Sequence, residues 1–160
     1  MGVGEESLLS RRTIGILASR SCPGNILLDT LDQIPKWLEE GRAVMSGFHS
    51  PLEQQVLRST IRHDGFVVKV LARGLTNYRP QREEREALES GRMLVLTSFP
   101  PEVRRTTRAT ALERNGLILS LADDIVVPHI SKGSALSSLI QERARLRDGK
   151  GKSREFGDNH

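Results

Sequence analysis

Phe66-Val67-Val68-Lys69-Val70-Leu71, running into Ala72-Arg73-Gly74, is the stretch that decides the fold. Its apolar residues stand side by side rather than alternating, and they are β-branched or aromatic at the start. That pattern is a strand buried on both faces, the kind found in parallel sheets. The segment before it is a helix. Ser50 is an N-cap, Pro51 takes the first helical position, and Glu53 completes a capping box. Val56, Leu57 and Ile61 then form an inward stripe, and Asp64-Gly65 ends the helix.

The same alternation recurs outward from this pair. Strands are expected over about 13–18, 42–46, 66–71, 92–97 and 124–128. Leu27, Leu28, Leu31, Ile34, Trp37 and Leu38 follow a three-to-four spacing that predicts an amphipathic helix over 26–40, with Gly41 as its C′ residue. Pro35 lies inside that helix and either kinks it or splits it in two. Further helices are expected over 82–89 (short and polar), over about 106–122 despite Gly116, and from Ser134 to about Arg147. Strands alternating with helices define an α/β chain with a Rossmann-like, doubly wound, mostly parallel sheet and helices on both faces. The pattern leaves the strand order open. Residues 1–12 read as a flexible lead-in, 13–147 as one domain, and 148–160 as a disordered basic tail rich in glycine and charge.

Composition narrows the function classes. Twenty-four Lys/Arg against twenty Asp/Glu give a net charge of +4, which permits a polyanionic partner. Apolar residues make up 37% and charged residues 28%, as in a globular chain large enough for a real core. No apolar run approaches the ~20 residues that span a bilayer, so no membrane partner is expected. Residues 1–12 also lack the apolar core of a secretory signal. The cytoplasm is the expected location. A single cysteine, Cys22, excludes an internal disulfide and a zinc cluster. There is no G-x-x-x-x-G-K-[ST] loop, no G-x-G-x-x-G after a strand and no G-x-S-x-G elbow. No cofactor, metal or catalytic residue is assigned.

The candidate chemistry lies where the strands end. In a parallel sheet the turns after the strands share one edge, where ligands bind. The first turn carries Ser19, Arg20 and Gly24. The second carries Ser46 and Gly47, ahead of the capped helix, whose N-terminus adds partial positive charge. The third carries Arg73 and Gly74. The last carries Lys132, Gly133 and Ser134, where Ser134 is an N-cap, a phosphate donor, or both. Glycines let backbone N–H groups approach a phosphate, and arginine offers a planar, bidentate cation. Each turn has a plainer reading too: a tight strand-to-helix connection with a surface cation. Asp123-Asp124 precedes a strand, so it belongs at the opposite edge and is expected to be solvated. Cys22 has no evident base beside it.

In order and spacing, five segments resemble the Rossmann-like core of the DprA/Smf DNA-processing family over about residues 13–140. They are Ile14–Gly24, Val44–Phe48, Val70–Leu75, Glu113–Asp123 and Lys132–Ser134. The resemblance implies a binder of single-stranded DNA or nucleotide phosphates at the strand ends. It also implies a recombination mediator that helps load a RecA-type recombinase on incoming DNA in natural transformation, working as a homodimer. Carried over by position, Arg20, Ser46, Gly47, Arg114, Asn115, Gly133 and Ser134 would line the pocket, and Lys132 is added from its neighbourhood. The chain departs from the family pattern after Ser46-Gly47: Glu53 stands where Asp is usual, Leu57 where His is usual, and Gly116 where a second Arg follows Arg114-Asn115.

Two other readings use the same residues. One is a free-nucleotide sensor or nucleotide-cleaving enzyme of the same superfamily, with His49 or Glu53 as candidate catalytic groups. The other is a scaffold whose pocket has decayed and which works through a dimer surface.

Overall fold

The computed structural model describes residues 1–145. The expected helix end at Arg147 and the tail over 148–160 lie outside the described residues. In chain order the elements are β1 (Gly2–Gly4), a 3-10 turn (Glu6–Ser10), β2 (Thr13–Ile16), α1 (Gly24–Glu39), β3 (Ala43–Ser46), α2 (Pro51–Arg62), β4 (Phe66–Val70), α3 (Arg82–Glu89), β5 (Met93–Leu96), α4 (Arg108–Leu121) and β6 (Asp124–Val126). A final helix, α5, occupies 135–145. The five expected strands and the helices between them are all present. The capping box at Ser50 forms with both its hydrogen bonds, and Gly41 takes the left-handed conformation (φ 71°) that ends α1. Pro35 does not split α1, which continues through it.

The sheet order is β1-β5-β4-β3-β2-β6. β2 to β6 are mutually parallel, and β1 alone runs antiparallel, against β5. β2 to β5 therefore step outward in one direction, and β6 returns to the far side of β2. Helices cover both faces. On one face Ile34 and Trp37 of α1, Val56 of α2 and Ala87 of α3 close on Ile14, Val44, Val67 and Val95. On the other, Ile118 and Leu119 of α4 close on Leu17, Met45, Val68 and Leu94, with Leu136 and Leu139 of α5 alongside. Gly15 lets α4 lie close to β2, because a Cβ there would press on Ile118, Ala122 and Ile125.

Two expectations are corrected. Residues 1–12 are not a loose lead-in. β1 pairs with β5, Val3 opposite Val95, the Glu5 N–H donates to the Met93 carbonyl, and Leu8 is 1% exposed in the second core. Asp123 is not merely solvated. Its carboxylate accepts from the Thr13 N–H at 2.8 Å and the Thr13 hydroxyl at 3.2 Å. It is at the expected edge, where it fastens the start of β2. Its neighbour Asp124 pairs with Arg12 and Arg42.

Candidate nucleic-acid interface

The strand order reverses at β2, and the general place for ligands in open α/β sheets is the crevice outside the carboxyl ends of the strands at such a switch point, here β2 and β6. Two segments form its floor. The Leu17 N–H donates to Val126 O, and the Ser19 N–H to His129 O at 3.0 Å. The Ser19 hydroxyl accepts from the Ser131 N–H at 2.8 Å. The turns after β2 and β6 are thus one hydrogen-bonded unit, with Arg20 in the first and Lys132 in the second, both exposed. Gly133 adopts φ 74°. The Ser134 hydroxyl accepts from the Ser137 N–H at 3.1 Å, so of the roles considered for it, N-cap of α5 is the one seen. Gly24 opens α1, whose N-cap, Pro23, has no side-chain capping bond.

The turn after β3 forms the third wall. Ser46 is fully buried, and its hydroxyl accepts from the Phe48 N–H at 3.1 Å. Phe48 takes φ 50°, rare for an aromatic residue. The bend aims the next two N–H groups at Glu53, whose Oε1 accepts from His49 at 3.0 Å and Ser50 at 3.2 Å. Its Oε2 accepts from the Ala18 N–H at 3.0 Å. One carboxylate, 5% exposed, therefore joins the turns after β2 and β3. Three backbone N–H groups occupy it, which leaves the alternative of Glu53 as a catalytic group without support.

Arg114 enters this wall from α4. Its side chain is 5% exposed and lies against the backbone of Gly47, where any Cβ would overlap the guanidinium. Nε donates to Asn115 Oδ1 at 2.9 Å. No acceptor among the described residues hydrogen-bonds Nη1 or Nη2. Burial lowers the pKa of Arg114 from its ordinary value, and the negative charge of Glu53 opposes that shift. Arg42 Nε and Arg92 Nη1 are the fully buried side-chain nitrogens without a hydrogen-bond partner among the described residues; the Arg114 Nη atoms are not, so that end of the guanidinium reaches solvent and is open to an anion.

Ser19, Arg20, Ser46 and Gly47 thus lie on turns tied together through Ser131 and Glu53. Arg114 and its neighbour Asn115 join them at Gly47. Lys132, Gly133 and Ser134 follow Ser131 in the chain, and Gly24 starts the helix after the first turn. Arg73 and Gly74 stand apart. They follow β4, two strands from β2, and the Gly74 N–H donates to Val103 O at 2.8 Å. Gly74 is there for packing, because a Cβ would overlap Pro100. Cys22 packs on the first core, and burial raises its thiol pKa, the opposite of activation. Sequence reading did not identify the Glu53–Ala18 bond, the positive φ of Phe48, or Ser131. The capping-box spacing marked Glu53 as a helix cap, but nothing local marks its second oxygen.

No curated protein matches the chain by sequence. Among solved structures it is similar to DNA processing protein A from Helicobacter pylori, a protein whose binding mode for single-stranded DNA has been described. The TM-score is 0.72 at 17% identity, covering 89% of this chain and 67% of that one. It is similar also to DNA processing protein A (DprA) from Streptococcus pneumoniae, with a TM-score of 0.73 at 19% identity, covering 90% of this chain and 50% of that one. The chain thus spans between half and two thirds of these proteins, and the likeness lies in the fold. The family model for DNA recombination-mediator protein A matches residues 2–146, nearly the whole described chain, and the chain belongs to that family.

Proposed function

We propose that this chain binds single-stranded DNA through backbone phosphates in the β2/β3/β6 crevice, as the DNA-gripping part of a recombination mediator. The observation that carries the reading is Arg114, a buried guanidinium held over Gly47 with its Nη donors free among the described residues. Phosphate is the anion best suited to such a fork. Arg20 and Lys132, both exposed on the joined turns after β2 and β6, supply the cations that a flexible strand would meet first. In this reading base identity goes unread, consistent with only 4% aromatic residues available for stacking. Loading of a RecA-type recombinase and homodimer formation follow from family membership and belong to the same proposal.

Fluorescence anisotropy with a labelled oligothymidylate of about 20 nucleotides, longer than typical single-strand sites, tests it between about 50 and 200 mM salt. The wild type is expected to bind, and affinity should fall with salt. Arg20→Ala and Arg114→Ala should each weaken binding and reduce the slope of log K against log salt by about 0.7. Unchanged binding in both variants would remove the pocket assignment. Displacement of the oligonucleotide by a mononucleotide at equal concentration would make the site one for free nucleotides.

A further inference from the structure

We infer that the nucleic-acid track does not end at the crevice but continues along the sheet edge to a second phosphate subsite at Arg104 and Arg105, by way of Arg73. The inference rests on the single-stranded DNA reading above and extends it. The first observation is the distribution of charge between the two edges of the sheet. The turns after β2, β3, β4, β5 and β6 contain Arg20, Arg73, Arg79, Arg104, Arg105 and Lys132, against one carboxylate, Glu102. None of these six cations forms an ion pair with a described carboxylate. At the opposite edge the arginines are engaged. Arg12 and Arg42 pair with Asp124, Arg92 with Asp64 at 3.2 Å, and Arg11 lies over the Phe66 ring. Cations without ion-pair partners among the described carboxylates are thus concentrated along one edge.

The second observation is that the backbone of the β5–α4 connector is fastened to the turn after β4. The Thr97 hydroxyl donates to Arg73 O at 2.6 Å and accepts from the Phe99 N–H at 3.1 Å. Val103 N–H donates to Pro100 O, and Gly74 N–H to Val103 O. Phe99 is buried, and Pro100-Pro101 stiffens the turn. The turns after β4 and β5 are therefore one platform that carries Arg73 beside Arg104 and Arg105, both exposed. The third observation is electrostatic. α4 begins just beyond, with Arg108 and no acidic residue in its first turn. Cations gathered at the positive end of a helix repel it and one another, an arrangement that a bound polyanion relieves. From β2 to β5 is three strand spacings, about 14 Å, or about four stacked nucleotides at 3.4 Å each.

The test uses the full chain, the same labelled oligothymidylate and the double variant R104A/R105A, with R58A/R62A, two exposed arginines in the groove between α2 and α3, as a control of equal charge. Loss of two phosphate contacts should reduce the salt slope by about 1.4. The wild type would then lose about sevenfold more affinity than R104A/R105A between 50 and 200 mM salt. The control should keep the wild-type slope. Wild-type slope and affinity in R104A/R105A would overturn the subsite, leaving the crevice reading intact. An equal fall in both double variants would show that binding senses net charge alone, and would overturn it too. No oligonucleotide binding by the wild type would overturn the subsite and the reading beneath it together.

Discussion

Gly47 and Arg114 show most directly how one position depends on a distant one. The guanidinium lies where a Cβ of residue 47 would be, so Gly47→Ala must displace it. We expect Gly47→Ala to cost about 1–3 kcal/mol in overpacking and to lower affinity for single-stranded DNA as Arg114→Ala does, measured by denaturant unfolding and anisotropy. Tyr78 offers a second check. It is the chain's single tyrosine. Burial, and a hydrogen bond from its hydroxyl to Glu84, push its pKa upward, and Glu84 is paired in turn with Lys69 at 3.1 Å. A raised native pKa means that this contribution to stability is complete below the unfolded value of about 10 and fades as pH climbs beyond it. Phenolate absorbance should therefore be absent from the native protein near pH 10.5 and appear only with unfolding. The same titration in denaturant should centre near pH 10. A native protein that ionises with the denatured midpoint would contradict the hydrogen-bonded placement.

Among the elements, those with strong local signals were readable and those defined by partners were not. Phe66–Leu71 and the Ser50 cap carry their own patterns, so β4 and α2 followed from them. Gly2–Gly4 has no periodicity to read; it is a strand only because β5 lies beside it. The turn at Arg73-Gly74 resembled a phosphate loop because Gly and Arg suit one, but Pro100, some 25 residues away in sequence, takes the space. The burial of Arg114 was likewise invisible, since nothing near it in the chain announces Gly47. α1 offers a quantitative test. Pro35 is exposed within the helix and deprives the Leu31 carbonyl of its donor. Proline costs about 3 kcal/mol in a helix interior and recovers up to about 1 by restricting the unfolded chain. Pro35→Ala should thus stabilise by about 2 kcal/mol, seen as a higher unfolding midpoint with unchanged slope in urea.

For the molecule as a whole, the N-terminal segment is the element whose removal should be felt furthest. Leu8, 1% exposed, lies in the second core, its turn packed against β4 and β5. Leu8→Ala should cost about 2–5 kcal/mol, where a flexible lead-in would give none; equilibrium denaturation distinguishes the two. The doubly wound class could be read from alternation, but the strand order could not, and the order decides where the crevice lies. The pairing of β2 with β6 has one more consequence. Ile14 lies beside Asp124 and Gly15 beside Ile125, so about 110 residues separate the two sides of the crevice along the chain. Closing so long a loop is slow. A ribosome must deliver nearly the whole described chain before the last strand can dock. Until then a nascent chain, however much of its sheet has formed, lacks the β2–β6 junction to which the proposed DNA binding is assigned.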